Sequence, residues 1–210
     1  VVANPPAGTY SVSFNWGDGT TSAVTGSGGS VSAVHTYAAS GVYSVAATLN
    51  RDGFEPVTAT YNYIVVYDPN GGFVTGGGWF TSPAGAYLAD PSLTGKATFG
   101  FVSKYKKGAS VPDGNTEFQF KAGALNFHSE SYEWLVVNKA SQRAQYKGQG
   151  TVNGSLAPNG AAYKFMIWAT DGSPDSFRIK IWWEDASGEH VIYDNGTESA
   201  IGGGSIVVHS

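Results

Sequence analysis

The stretch Phe14-Asn15-Trp16-Gly17-Asp18-Gly19-Thr20-Thr21-Ser22 decides how the rest of the chain is read. Leading into it, Tyr10, Val12, Phe14 and Trp16 alternate with Ser11, Ser13 and Asn15, the two-residue period of a strand with one buried face. The strand runs into an Asp held between two glycines. That arrangement suits a tight turn whose carboxylate accepts backbone N–H groups, and it is also one way to offer oxygen to a cation. Downstream, "GVYSVAATLN" (41–50) alternates Tyr43, Val45, Ala47 and Leu49 with small or polar residues, and "TATYNYIVVY" (58–67) supplies a further strand. About four strands without a helical period predict a small antiparallel sandwich.

Composition extends that reading to the whole chain. Of 210 residues, 41% are hydrophobic, 14% aromatic and only 13% charged, with 29 glycines. Aromatic and β-branched runs between glycine-rich turns predict an all-β protein. The absence of cysteine excludes a disulfide framework and thiolate metal sites. A net charge of −4 leaves no electrostatic footprint for nucleic acid. No apolar run approaches the ~20 residues that would insert into a bilayer, and "VVANPPAGTY" lacks the pattern of a signal peptide. The expected chain is a mature, soluble product or a piece of one.

Charge is unevenly distributed: Arg51 is the only Lys or Arg before Lys96, and every other cation follows. Two units are implied, and "YDPNGG" (67–72) is the strongest punctuation between them, which places the domains at 1–67 and 68–210. In the second, "TEFQFKAG" alternates Phe118 and Phe120 with polar residues, and "FRIKIWW" alternates Phe177, Ile179, Ile181 and Trp183 with Arg178, Lys180 and Trp182. Turns fall at "PDGN", "VNGS", "TDGS", "ASGE" and "DNGT", spacing that allows about ten strands in an antiparallel β-sandwich or jelly roll. "SYEWLVVNKASQRAQ" is the best helix candidate, yet Tyr132, Trp134 and Val136 fit period two and Val136-Val137 favours strand.

Three elements in order, Trp16-Gly17-Asp18-Gly19, then His35-Thr36-Tyr37, then Gly41-Val42-Tyr43 with Val45, resemble the PKD domain. This is an immunoglobulin-like module of bacterial and archaeal surface proteins and of secreted proteases and glycoside hydrolases. The resemblance covers about the first third of the chain and implies that Trp16, Asp18, His35, Tyr37 and Tyr43 are structural, with His35 hydrogen-bonded to the turn. It also implies one or two strands ahead of Tyr10, for which "VVANPPAG" is too short. A sheet edge open to a partner strand, from another copy or a neighbouring module, follows. The second unit resembles a module that often follows PKD domains in bacterial extracellular proteins, which implies an extracellular address, secreted or on the cell surface, and no particular chemistry.

Asp18 alone is short of the roughly six to eight oxygens calcium needs, so the turn-tying role is preferred. The loops carrying Asp171 and Asp175, and Asp194 and Glu198, each offer two carboxylates and resemble weak calcium sites without the EF-hand pattern; calcium is the candidate ion there, and no cofactor is required. Enzyme signatures are missing: no H-E-x-x-H, no G-x-S-x-G, no Walker loop. In "FHSESYE", His128 and Glu130 should share a strand face with Tyr132 while Glu133 points opposite, so they do not converge. Trp168 and Trp182 fall among Lys and Arg on the polar sides of their strands, where they would serve as a carbohydrate-stacking platform unless the sheet is covered. The leading expectation is a non-enzymatic, extracellular structural or adhesive module pair that self-assembles by strand complementation. The alternative is a carbohydrate-binding appendage of a secreted hydrolase. Asn153 and Asn195 are N-glycosylation sequons that matter only in a glycosylating host.

Overall fold

The computed structural model describes residues 8–68 and 71–209. The expectations for the segment ahead of Tyr10 rest on residues 1–7, and part of the inter-unit turn is residues 69–70; both lie outside the described residues. Among the described residues the fold is all-β and antiparallel, with a single 3-10 turn at Lys121–Gly123 and no helix long and apolar enough to cross a membrane. Internal contacts divide the chain into two compact units, Val1–Val66 and Tyr67–Ser210.

The first unit is a four-stranded sheet of β1 (Tyr10–Asn15), β2 (Thr21–Gly26), β3 (Gly41–Asn50) and β4 (Val57–Val66), in the order β2-β1-β3-β4. Tyr10, Val12, Phe14 and Trp16 are all buried on one face, as their alternation requires. Each such side chain contributes on the order of 1.5–3 kcal/mol of burial. The layer facing them comes from the irregular segment between β2 and β3, through Val31, Ala33 and Tyr37. Ile64 of β4 packs against the same cluster, whereas the other end of β4 is left open. Tyr61 and Val57, directly across the ladder from Val45 and Leu49, stay 68% and 65% exposed.

The second unit is one continuous meander. β5 (Phe73–Ser82), β6 (Gly95–Lys104), β7 (Asp113–Phe120), β8 (Leu125–Asn138), β9 (Arg143–Val152), β10 (Tyr163–Thr170), β11 (Ser176–Asp185) and β12 (Gly188–Asp194) pair in sequence order. The short β13 (Ser199–Ala200) joins β11, and β14 (Gly203–His209) returns to pair with β5. The two layers of the sandwich are halves of this single curled sheet. Phe99 on β6 stacks on Phe177 of β11 with ring centroids 3.9 Å apart, although the two strands are far apart in the sheet order. Phe80, Phe118, Phe127, Phe165, Ile179 and Tyr193 fill the same core without solvent exposure.

Both outer edges of the curled sheet are covered in part by loops of the same unit. Along β12, the Leu88 N–H donates to the Ile192 carbonyl (3.1 Å) and the Asp194 N–H to the Ala86 carbonyl (2.8 Å), so the β5–β6 loop takes the place of a neighbouring strand. Along β14, the Ile206 N–H donates to Asp175 Oδ2 (2.7 Å) and the Val208 N–H to Asp171 Oδ2 (3.1 Å). The β10–β11 turn thereby satisfies donors that would otherwise invite another strand.

One sequence expectation fails on β8. The ladder with β9 shifts register between Ser129 and Ser131 and again between Tyr132 and Trp134. Each bulge inserts a residue and changes which side chains face inward. Tyr132 therefore points into the core, away from His128 and Glu130, and its hydroxyl shares a hydrogen bond with Thr116 Oγ1 (2.8 Å). Glu133 lies outward, bonded by Lys147 Nζ at 2.8 Å.

Candidate functional site

The Trp16–Thr20 turn is closed by a Trp16 N–H bond to the Thr20 carbonyl (3.1 Å). Gly17 is required twice over: its φ is +79°, and a Cβ there would lie 2.6 Å from the Ser44 carbonyl oxygen. Asp18 Oδ1 accepts the Thr20 N–H (3.0 Å) and hydroxyl (2.6 Å), while Oδ2 is 2.7 Å from His35 Nε2. The Thr20 hydroxyl first, and His35 after it, hold the Asp18 carboxyl down to about 2. His35 is clamped between rings, stacked on Trp16 at 4.8 Å and edge-on to Tyr37 at 4.6 Å. Tyr37 in turn donates to the Trp16 carbonyl (2.9 Å) and stacks on Tyr43 at 4.2 Å. The five PKD-like positions thus form one connected column whose polar atoms tie the turn to the loop ahead of β3. Both carboxylate oxygens of Asp18 have a protein partner, so the arrangement braces the turn.

The acidic residues of the second unit are engaged in the same manner and do not converge. Asp171 and Asp175 hold β14, and Asp175 Oδ1 also takes the Gly172 N–H at 2.9 Å. Asp194 forms a two-point pair with Arg178, Nε to Oδ1 and Nη2 to Oδ2, both 2.9 Å. Glu198 binds Arg143 and accepts from the Thr170 hydroxyl (2.8 Å) and the Ser176 hydroxyl (3.1 Å). No group of three His, Cys, Asp or Glu among the described residues is placed to hold a metal ion.

Trp168 and Trp182 do sit on the outward face of β10 and β11, among cations, but their rings are only 8% and 5% exposed. The Arg178 guanidinium lies 4.3 Å from the Trp168 ring centroid, and Lys180 Nζ lies 5.0 Å from that of Trp182, whose Nε1–H donates to Glu184 (2.8 Å). The long side chains lie over the indoles and keep their charged heads in ion pairs: Arg178 with Asp194, Lys180 with Glu189, Lys164 with Glu184. No open ring face remains there for a sugar, which corrects the stacking platform expected from strand alternation. Of the two sequons, Asn195 is buried, donating from Nδ2 to the Phe177 and Thr197 carbonyls and accepting the Ile179 N–H, whereas Asn153 is exposed.

One feature escaped the sequence reading. The outward face of β6 and β7 carries an open trough of about 450 Å³, walled by Thr98 and Val102 on β6 and by Asn115, Glu117 and Gln119 on β7. Gly100 lines it without a side chain, and its ladder partner on β5 is Gly77. A Cβ on Gly100 would meet nothing within 4 Å. Two adjacent glycines are unremarkable in each strand alone, and only the ladder register brings them side by side.

Compared with family models, with curated proteins and with solved structures, the chain matches none. The PKD-like reading of the first unit therefore stands on the residues that carry it.

Proposed function

We propose that the chain is a non-enzymatic, extracellular structural and adhesive module pair that joins copies of itself through β4 of the first unit. The observation that carries this is the contrast between edges. The second unit covers part of each outer edge with its own loops, while in the first unit β2 and β4 each pair on one side alone among the described residues, and β4 is the longer edge. β4 is ten residues long, "VTATYNYIVV", with no charge, proline or glycine to discourage strand addition. A second copy laid antiparallel along β4 meets no like charge. It would also cover Val57 and Tyr61 with the same side chains from its own strand, a self-complementary two-fold contact. The extracellular address rests on the PKD-like elements. The non-enzymatic assignment is supported by the engagement of His35, Asp18 and the four loop carboxylates with protein partners. No cofactor belongs to the proposal.

Sedimentation velocity over a concentration series tests it. The parent chain should increase in mass with concentration, and Tyr61→Lys, which places a charge on the open strand, should remain monomeric. A parent that stays monomeric throughout, or an assembly indifferent to Tyr61→Lys, overturns the reading.

A further inference from the structure

We infer that the trough at Gly100 is a binding site for a neutral, hydroxyl-rich glycan. Its volume of about 450 Å³ falls within the ~300–1,000 Å³ typical of small-ligand sites. The two outward faces of the second unit contrast sharply. On β9 to β12 the charged groups are paired and the indoles covered. Around the trough, by contrast, no hydrogen bond or ion pair among the described residues engages the side chains of Thr98, Asn115 or Gln119. Glu117 has only a long contact, 3.5 Å, to His128 Nδ1.

The chemistry of these walls selects the ligand. Amides and a hydroxyl both donate and accept, which matches sugar hydroxyls, themselves donors and acceptors. The Gly100 methylene and the Val102 side chain offer apolar surface to the C–H face of a sugar ring. An anion would meet the Glu117 carboxylate. A cation would find one carboxylate, already facing a histidine. Between Glu117 and Gln119 an extended peptide has no strand edge to join, because β6 is paired on both sides and β7 there is paired with both β6 and β8. The site is separate from β4 and does not rest on self-association.

Affinity electrophoresis of the full chain against soluble neutral β-glucan, xylan, mannan and glycogen tests the site, followed by calorimetry with the oligosaccharide of any that retards it. At least one should retard the parent. Gly100→Val, whose side chain enters open space, and Gln119→Ala should each weaken binding about tenfold or more, a loss of roughly 1.4 kcal/mol. Tyr61→Lys should bind as the parent does, which separates this site from the proposed assembly edge. If Gly100→Val lowers the urea midpoint, Gln119→Ala alone decides. Retardation by none of the four, retardation unchanged in the deciding variants, or salt-sensitive retardation by polygalacturonate alone each overturns the assignment.

Discussion

Asp175 reaches across to Ile206: its Oδ2 accepts the Ile206 N–H at 2.7 Å. A residue of the β10–β11 turn thus finishes the edge of a strand thirty-one positions later in the chain. Asp175→Ala would leave that donor without its acceptor, an omission of about 1–3 kcal/mol when the donor is partly buried. The urea midpoint followed by tryptophan fluorescence should fall accordingly, since five of the six tryptophans lie in the second unit. Exchange of the Ile206 amide should accelerate more than that of amides in β8.

The Asp18 carboxyl titrates at about 2 in the folded protein instead of 3.8. A depressed folded value means that its contribution is fully present above the unfolded pKa and is lost as pH falls through the folded one. Thermal unfolding of the first unit should therefore lose stability between 3.8 and about 2. Asp18→Asn should flatten the dependence across that window, measured by near-ultraviolet circular dichroism of the Trp16 and Tyr37 signals.

Arg178 both covers Trp168 and grips Asp194 through two parallel bonds. Lysine cannot reproduce a planar, two-point grip. Arg178→Lys should destabilise the second unit by roughly 1–2 kcal/mol. Acrylamide quenching of tryptophan fluorescence should rise as the Trp168 ring is uncovered.

Expression in a glycosylating secretory host should place sugar on Asn153 and leave Asn195 bare, as read by peptide mapping. The Asn195 amide is enclosed by β11 and by its own loop. Asn195→Ala should cost about 3 kcal/mol or more, because it strands an Ile179 donor and a Phe177 acceptor inside the protein.

Chelation should leave both units unmoved. Asp171, Asp175, Asp194 and Glu198 are each satisfied by protein donors. Excess EDTA should not shift either unfolding midpoint, and added calcium should not raise one.

Much of this architecture was legible from side-chain alternation. Phe118 and Phe120, Phe177, Ile179 and Ile181, and the Tyr10 to Trp16 series all face inward at period two, because burial on one face of a pleated strand imposes that period. The failures share a cause. The bulges that turn Tyr132 inward, the cations that blanket Trp168 and Trp182, and the joining of Asp175 to Ile206 all depend on which strand lies beside which, and in what register. The trough depends on it most. Gly100 and the walls from β7 come together only once β6 and β7 are aligned.

The pairing of β14 with β5 has a mechanical consequence. Phe73, the first residue of β5, and His209, the last of β14, are direct partners in the ladder, stacked at 4.0 Å. Tension applied between Phe73 and His209 would load that one rung first and then the next, opening the seam like a zip, with no set of rungs sharing the load. Against such a pull, the Asp171 and Asp175 carboxylates are the only side-chain fastenings seen on the far side of β14 among the described residues.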